Sequence, residues 1–344
     1  MSNLPPSGEI PRGAIRFNTD SNRLEVWNGS VWGEMQLSTP NLASAGDTQP
    51  GVRGVLMGGR TPTLSDEIDY INLASTGNST DFGNLATASR GFANGQTSSS
   101  VRGLAMGGQS TLDDIQSITI ASTGNATMHS GLLTVDKRLA AGASSSTRAI
   151  TAGGMNPTSL NVIDATDIAS LGNAIDFGDL SAALYYRAGL SSPTRAIIAG
   201  GYNPAPVNTI EFITISTLGN AQDFGDLTQA TIGMGAGGNP TRGIFYGGGL
   251  TAPTFPNTDV ISYITIGTLG NTVDFGDATQ SVEYAAVASS PTRLVAMGGI
   301  VDPAFVNTMA YVNIQTFGDA VDFGDLTGTA RQRGAACSNG QGGL

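Results

Sequence analysis

A chain of 344 residues with 48 glycines, 12% charged residues and a net charge of −11 lacks the clustered Lys and Arg that phosphate contact demands, so nucleic acid is excluded as a partner. One cysteine (Cys337) precludes an internal disulfide, and one histidine (His129) with one lysine (Lys137) leaves little material for a metal site or a catalytic set. No apolar run approaches the ~18 residues of a membrane span, and the N-terminus lacks a basic-then-apolar signal, so membrane insertion and export by a leader are not expected.

Residues 1–13, rich in Pro, Ser and Gly, read as an extended arm that orders on contact with something else. Residues 14–37, AIRFNTDSNRLEVWNGSVWGEMQL, alternate apolar and polar positions around two turn signals and predict a three-stranded meander holding both tryptophans, Trp27 and Trp32.

A repeat then governs the chain. An Arg opens a short apolar run ending in paired glycines at Arg53, Arg102, Arg148, Arg195, Arg242 and Arg293, at steps of 49, 46, 47, 47 and 51 residues. Each glycine pair leads into a loop of variable length and then an alternating strand such as IEFITISTL. A Gly-Asn or Gly-Asp turn follows, then Asp-Phe-Gly-Asp-Leu or a relative of it. A short strand of small residues (YYRAGLS, EYAAVAS) closes the unit. Four short strands per ~40–50 residues, punctuated by glycine turns, predict an all-β fold made of propeller blades, because a blade cannot cover both of its faces alone. The apolar strand ending in Gly-Gly, followed by an aromatic-bearing strand, resembles the kelch repeat. The tryptophan of that pattern is replaced by Phe82, Phe177, Phe224, Phe275 and Phe323.

The small strand occurs seven times, from Leu42–Gly46 to Gly334–Ser338, and the Gly-Gly strand six times. Pairing the meander with the last small strand would give a kelch-like propeller of seven blades, the N- and C-terminal strands sharing one blade and Trp32 standing at the kelch tryptophan. Six closed blades plus an N-terminal anchor are the alternative. The boundaries that follow are an arm at 1–13 and a propeller at 14–344. The propeller divides into N-terminal strands at 14–40, six repeats at 41–333 and a closing strand at 334–344.

No constellation departs from the repeat as an active site should. One His and one Cys cannot supply the copper ligands of galactose-oxidase-type propellers, and the arginines recur at a fixed point of every unit, which marks a structural role rather than a sialidase-type triad. An enzyme is not expected, and no cofactor is called for. The acidic pairs Asp176/Asp179, Asp223/Asp226, Asp274/Asp277 and Asp322/Asp325 would cap their own turns or pair with the recurrent arginines; Ca²⁺ binding is the competing reading. Loops after the glycine pairs differ in every unit and should share one face, while the Ser-Ser-Pro-Thr and Leu-Gly-Asn turns share the other. Tyr202, Asn203, Phe255 and Phe305 on those loops are the candidate partner-binding residues.

The IRFNT…LEVWNG..W segment, about 24 residues long, resembles a module near the N-terminus of bacteriophage tail and fibre proteins. That resemblance implies a virion protein assembled in the host cytoplasm and present in multiple copies. Its N-terminal segment would join other tail proteins, and its propeller would engage a host surface polysaccharide, a receptor or a virion protein. A head decoration or head-fibre protein, and an intracellular kelch-like scaffold, are the competing readings.

Overall fold

The computed structural model describes residues 11–18, 23–34, 53–110, 112–250 and 256–344. It divides into two compact units, residues 1–46 and 47–344.

In the first unit Ile15–Asn18, Arg23–Trp27 and Trp32–Glu34 form a three-stranded antiparallel meander, a sheet of its own. The Arg16 guanidinium lies 4.3 Å from the Trp32 ring and pairs with Glu25 at 2.6 Å, while the Trp27 and Trp32 rings sit 5.5 Å apart.

The second unit is a β-propeller, and its described residues form six blades. In the fourth, Ala188–Ser191 is innermost, followed outward by Arg195–Ala199, Thr209–Thr214 and Gln222–Asp226. Each small-residue strand is thus the inner strand of the blade whose Arg follows it. The last one, Ala335–Ser338, pairs with Arg53–Thr61, so Cys337 lies opposite Val55 and the first repeat is completed from the C-terminal end. The seven-blade expectation is therefore corrected. Among the described residues no strand of the meander enters a blade, Trp32 packs on Trp27, and the blades number six. Leu42–Gly46, the seventh small strand of the sequence count, lies outside the described residues.

Two sets of joints tie neighbouring blades. Each recurrent Arg donates from Nη1 to a backbone carbonyl of the next blade: Arg53 to Ile120, Arg102 to Ile168, Arg148 to Ile215, Arg195 to Ile266, Arg242 to Ile314 and Arg293 to Leu73. In four blades its guanidinium also lies 4.3–4.8 Å from the ring centre of a Tyr or Phe on the next strand outward (Tyr70, Phe212, Tyr263, Tyr311). Toward the rim, the Gly-Asn turn of one blade docks on the Asp-Phe-Gly strand of the blade before. Asn220 Oδ1 accepts from the Asp179 N–H at 3.0 Å, and the Gly219 N–H donates to the Phe177 carbonyl. The glycine of Asp-Phe-Gly is obligatory there, since a Cβ on Gly276 would stand 2.6 Å from the Gly318 backbone.

The axis is filled. Ser144, Ser191, Ser289 and Ser338 each follow the first residue of their inner segment by five, but Ser98 follows Gly91 by seven. The two extra residues of the second blade bulge inward at Asn94–Gln96. The Asn94 carbonyl accepts the N–H groups of Gly142 and Gly189, and its Nδ2 donates to the carbonyls of Arg187 (3.3 Å) and Met234 (2.7 Å). Gln96 exchanges hydrogen bonds with Ser289 and bridges to Ala336. A side chain at Gly95 would sit 1.9 Å from the Gly142 carbonyl, so only glycine fits the bulge.

Candidate functional site: an asymmetric rosette around the axis

Within the first blade, Ala335 pairs with Met57 and Asn84 pairs with Glu67. That register puts the loops after the glycine pairs on the same face as the connections leading into each inner strand. The uniform turns occupy the opposite face.

At the centre of the variable face six residues, one per blade, close a ring of backbone hydrogen bonds. Gly91 donates to Arg333, Leu139 to Gly91, Tyr186 to Leu139, Gly233 to Tyr186, Tyr284 to Gly233 and Arg333 to Tyr284, at 2.6–3.1 Å. The geometry holds every one of them at a φ between +57° and +65°. Four are not glycine, and a left-handed side-chain-bearing residue costs about 1 kcal/mol or more. The two glycines make room: a Cβ on Gly233 would meet the Tyr284 ring at 2.4 Å, and one on Gly91 would meet the Leu139 side chain at 2.6 Å.

Around this ring runs a second one made of the preceding residues Arg90, Arg138, Tyr185, Ile232, Glu283 and Gln332. A third consists of the residues after the glycine pairs, Arg60, Gln109, Met155, Tyr202, Gly249 and Ile300. Bridges join the two at Gln332–Arg60, Arg138–Met155, Tyr185–Tyr202, Ile232–Gly249 and Glu283–Ile300. The backbone is six-fold, but the side chains are sorted. Blades one to three bring Arg60, Arg90, Arg138 and Arg333, and blades four to six bring Tyr185, Tyr186, Tyr202 and Tyr284.

The aromatic half is one continuous stack. Tyr202 meets Tyr185 at 5.5 Å, Tyr185 meets Tyr186 at 4.9 Å, and Tyr186 meets Tyr284 at 5.2 Å. The Arg333 guanidinium caps the stack, 3.8 Å from the Tyr284 ring and 5.0 Å from Tyr186. Together with Ile232 and Glu283 these tyrosines line an open basin of about 320 Å³. Burial raises the phenols of Tyr185 and Tyr284 above their ordinary value, so both stay neutral donors. It also raises Glu283 to about 7, against the smaller downward pull of Arg333.

In the cationic half the Arg90 guanidinium is pulled below its ordinary value, first by burial and then by the charges of Arg333 and Arg60. Arg90 Nη1, Arg138 Nε and Arg333 Nε are buried and have no hydrogen-bond partner among the described residues. The residues themselves are half-buried, and crowded guanidiniums have the chemistry that suits anionic oxygens.

Of the residues expected from sequence, Tyr202 lies in the rosette. Asn203 is exposed beside it, its Nδ2 donating to the Ala183 carbonyl at 3.1 Å. Phe305 is half-buried in a small hairpin with its ring 5.9 Å from the Arg60 guanidinium, and Phe255 lies outside the described residues. The ring residues were missed because they sit against strands of Gly and Ala that read as structural. Their signal is a single column, the position before each small strand, which varies in chemistry along the repeats where the strand itself stays small.

The acidic pairs do not meet the recurrent arginines, whose Nη1 atoms serve backbone carbonyls instead. Asp176 Oδ1 does cap its own turn at the Gly178 N–H (3.1 Å), while the N–H of Asp179 is taken by Asn220 of the next blade. Among the described residues no group of three or more His, Cys, Asp or Glu is placed to hold a metal ion. His129 bonds Ser117 Oγ at 2.9 Å.

Comparison with protein-family models matches none, and a search of curated proteins returns no match.

Proposed function

We propose that the chain is a non-enzymatic adhesion protein of a bacteriophage virion, of the tail-fibre or tail-associated kind, which grips an acidic polymer of the host surface with the rosette. The observation that carries the adhesive half of this reading is the sorting of side chains at strained backbone positions. Four of six equivalent sites that geometry would fill with glycine hold Tyr, Leu and Arg instead, and strain of this kind is retained where side chains have work to do. Tyrosine faces suit the C–H faces of sugar rings, and the half-buried arginines suit carboxylates or phosphates along the polymer. The virion half rests on the Ile15–Trp32 segment and its likeness to phage tail modules, with a kelch-like repeat behind it; multiple copies on a particle would raise the avidity of such a face.

Two measurements test the two halves. Immunogold imaging with an antibody to the propeller should decorate the tails of intact particles; label on the head or in the host cytosol alone would overturn the tail assignment. Purified propeller should bind host cells and extracted acidic polysaccharide. The triple variant Arg90→Ala, Arg138→Ala, Tyr202→Ala should bind about 30-fold or more weakly, equivalent to about 2 kcal/mol, while keeping its fold. Undiminished binding by that variant would remove the rosette from recognition.

A further inference from the structure

Blade two also breaks the repeat in its outer strand, and this break leaves a cleft. In the first blade the Arg53 guanidinium lies 4.4 Å from the Tyr70 ring and 6.0 Å from Phe82. Phe82 stands at a bulge, where the register of the outer strand shifts between Ile68 and Asp69. The same shift marks blades three to six. In blade two the outer strand Thr127–His129 pairs without a shift: Ile115 faces His129, Gln116 faces Met128 and Ser117 faces Thr127. Aligned on these registers, Ser117 replaces Tyr70, His129 replaces Gly83, and no residue replaces Phe82. Both rings that would lie under the Arg are missing.

Their place is an open cleft of about 360 Å³ lined by Arg102, Ser117, Thr119, Ser122, Asn125 and His129 among others. No Asp or Glu lines it, in a chain of net charge −11. Arg102 is held at the rim because its Nη1 donates to the carbonyls of Ile168 and Ala169, each at 2.7 Å. The hydrogen bond between Ser117 Oγ and His129 Nε2 fixes the imidazole against one wall. The His129 side chain also occupies the position of the glycine on which the Gly-Asn turn of the next blade docks elsewhere. That turn is reshaped in blade three, with Leu171 at φ +49°.

We propose that this cleft is a second binding site, independent of the rosette, for one hydroxyl-rich anion of monosaccharide size: a sugar acid or a sugar phosphate. Its volume suits a single ring, its serine, threonine and asparagine groups suit hydroxyls, and its only ionisable linings are an arginine and a histidine.

The intact protein is titrated with glucuronate, glucose 6-phosphate, glucose and inorganic phosphate, followed by backbone amide NMR shifts at Thr119–Thr127. Saturable shifts with glucuronate or with glucose 6-phosphate support the site, and whichever binds identifies the anionic group. Equal shifts with glucose would overturn the anionic requirement, equal shifts with phosphate the requirement for a sugar, and no shift at 10 mM of any probe the site itself. Ser117→Tyr restores the residue of blades one, five and six. It should raise the melting temperature by stacking on Arg102 while weakening binding at least tenfold. His129→Ala should weaken binding by a similar factor without that rise. Unchanged binding by a folded, stabilised Ser117→Tyr protein would refute the assignment.

Discussion

The turns on one face of the propeller repeat a single device in all six blades. A side-chain oxygen three residues before each recurrent Arg accepts its N–H: Ser99 for Arg102, Ser145 for Arg148, Ser192 for Arg195, Asn239 for Arg242 and Ser290 for Arg293, at 2.8–3.2 Å. Asn339 does the same for Arg53 across the closure, at 3.0 Å. On the opposite face, the backbone bonds of the inner ring are equally regular, yet the side chains are sorted into a cationic half and an aromatic half. The difference separates two pressures on one repeat. Where a residue's job is a local bond, the blades agree; where it is display, they diverge. On the display face strain recurs at one column of the repeat, at Leu139, Tyr186, Tyr284 and Arg333, whereas on the turn face it is met at the single irregular turn of Leu171.

The comparison breaks most violently at the closure. Removing residues 334–344 takes away the inner strand of blade one, the Asn339 cap and the buried Cys337, whose thiol burial pushes up to about 12. Insoluble protein, or a melting temperature lower by more than 10 °C, is the expected result. A truncated chain that melts like the intact one would mean that Ala335–Ser338 is dispensable to the ring.

A smaller effect separates the joints from the turns they grip. Gly276→Ala places a Cβ 2.6 Å from the Gly318 backbone at φ +148°, and should cost about 2–4 kcal/mol in denaturant unfolding. Gly270→Ala has a similar φ of +150° but meets nothing within 4 Å, and should cost about 1 kcal/mol. Equal losses would show that backbone strain, not the inter-blade contact, sets the price.

The smallest effect belongs to the display face. The Glu283 carboxyl titrates near 7 in the folded chain and near its ordinary value when unfolded, so the stability associated with its protonated form is full below about pH 4.5 and lost as pH rises through 7. Glu283→Gln should leave the melting temperature at pH 4.5 almost unchanged. At pH 8 it should stabilise by about 1–2 kcal/mol, a figure reduced for the partial exposure of the group. Parallel melting curves for the two proteins from pH 4.5 to 8 would refute the buried carboxyl.

Much of this architecture is legible in the chain. The repeat announces blades, Gly-Gly marks the loop face, and the arginine at a fixed place signals a structural joint. The blade count was not legible, because a small strand such as GAACS looks the same whether it ends one unit or begins the next, and only hydrogen bonding assigns it. Nor was the display ring, since a left-handed backbone is signalled by glycine and Tyr186, Tyr284 and Arg333 hide it. The acidic turns misled in a related way. Their repeated carboxylates drew attention, whereas the joint uses the N–H of the aspartate and the side chain of the neighbouring Asn.

The bulge at Asn94–Gln96 also bears on why the ring stops at six. From one place it reaches blade three through Gly142, blade four through Gly189 and Arg187, blade five through Met234, and blades six and one through Ser289 and Ala336. A seventh blade would widen the axis beyond what two inserted residues can span, stranding the Asn94 amide and the N–H groups it serves in a buried site. The insertion therefore acts as a gauge of circumference, carried by the second blade and read by every other.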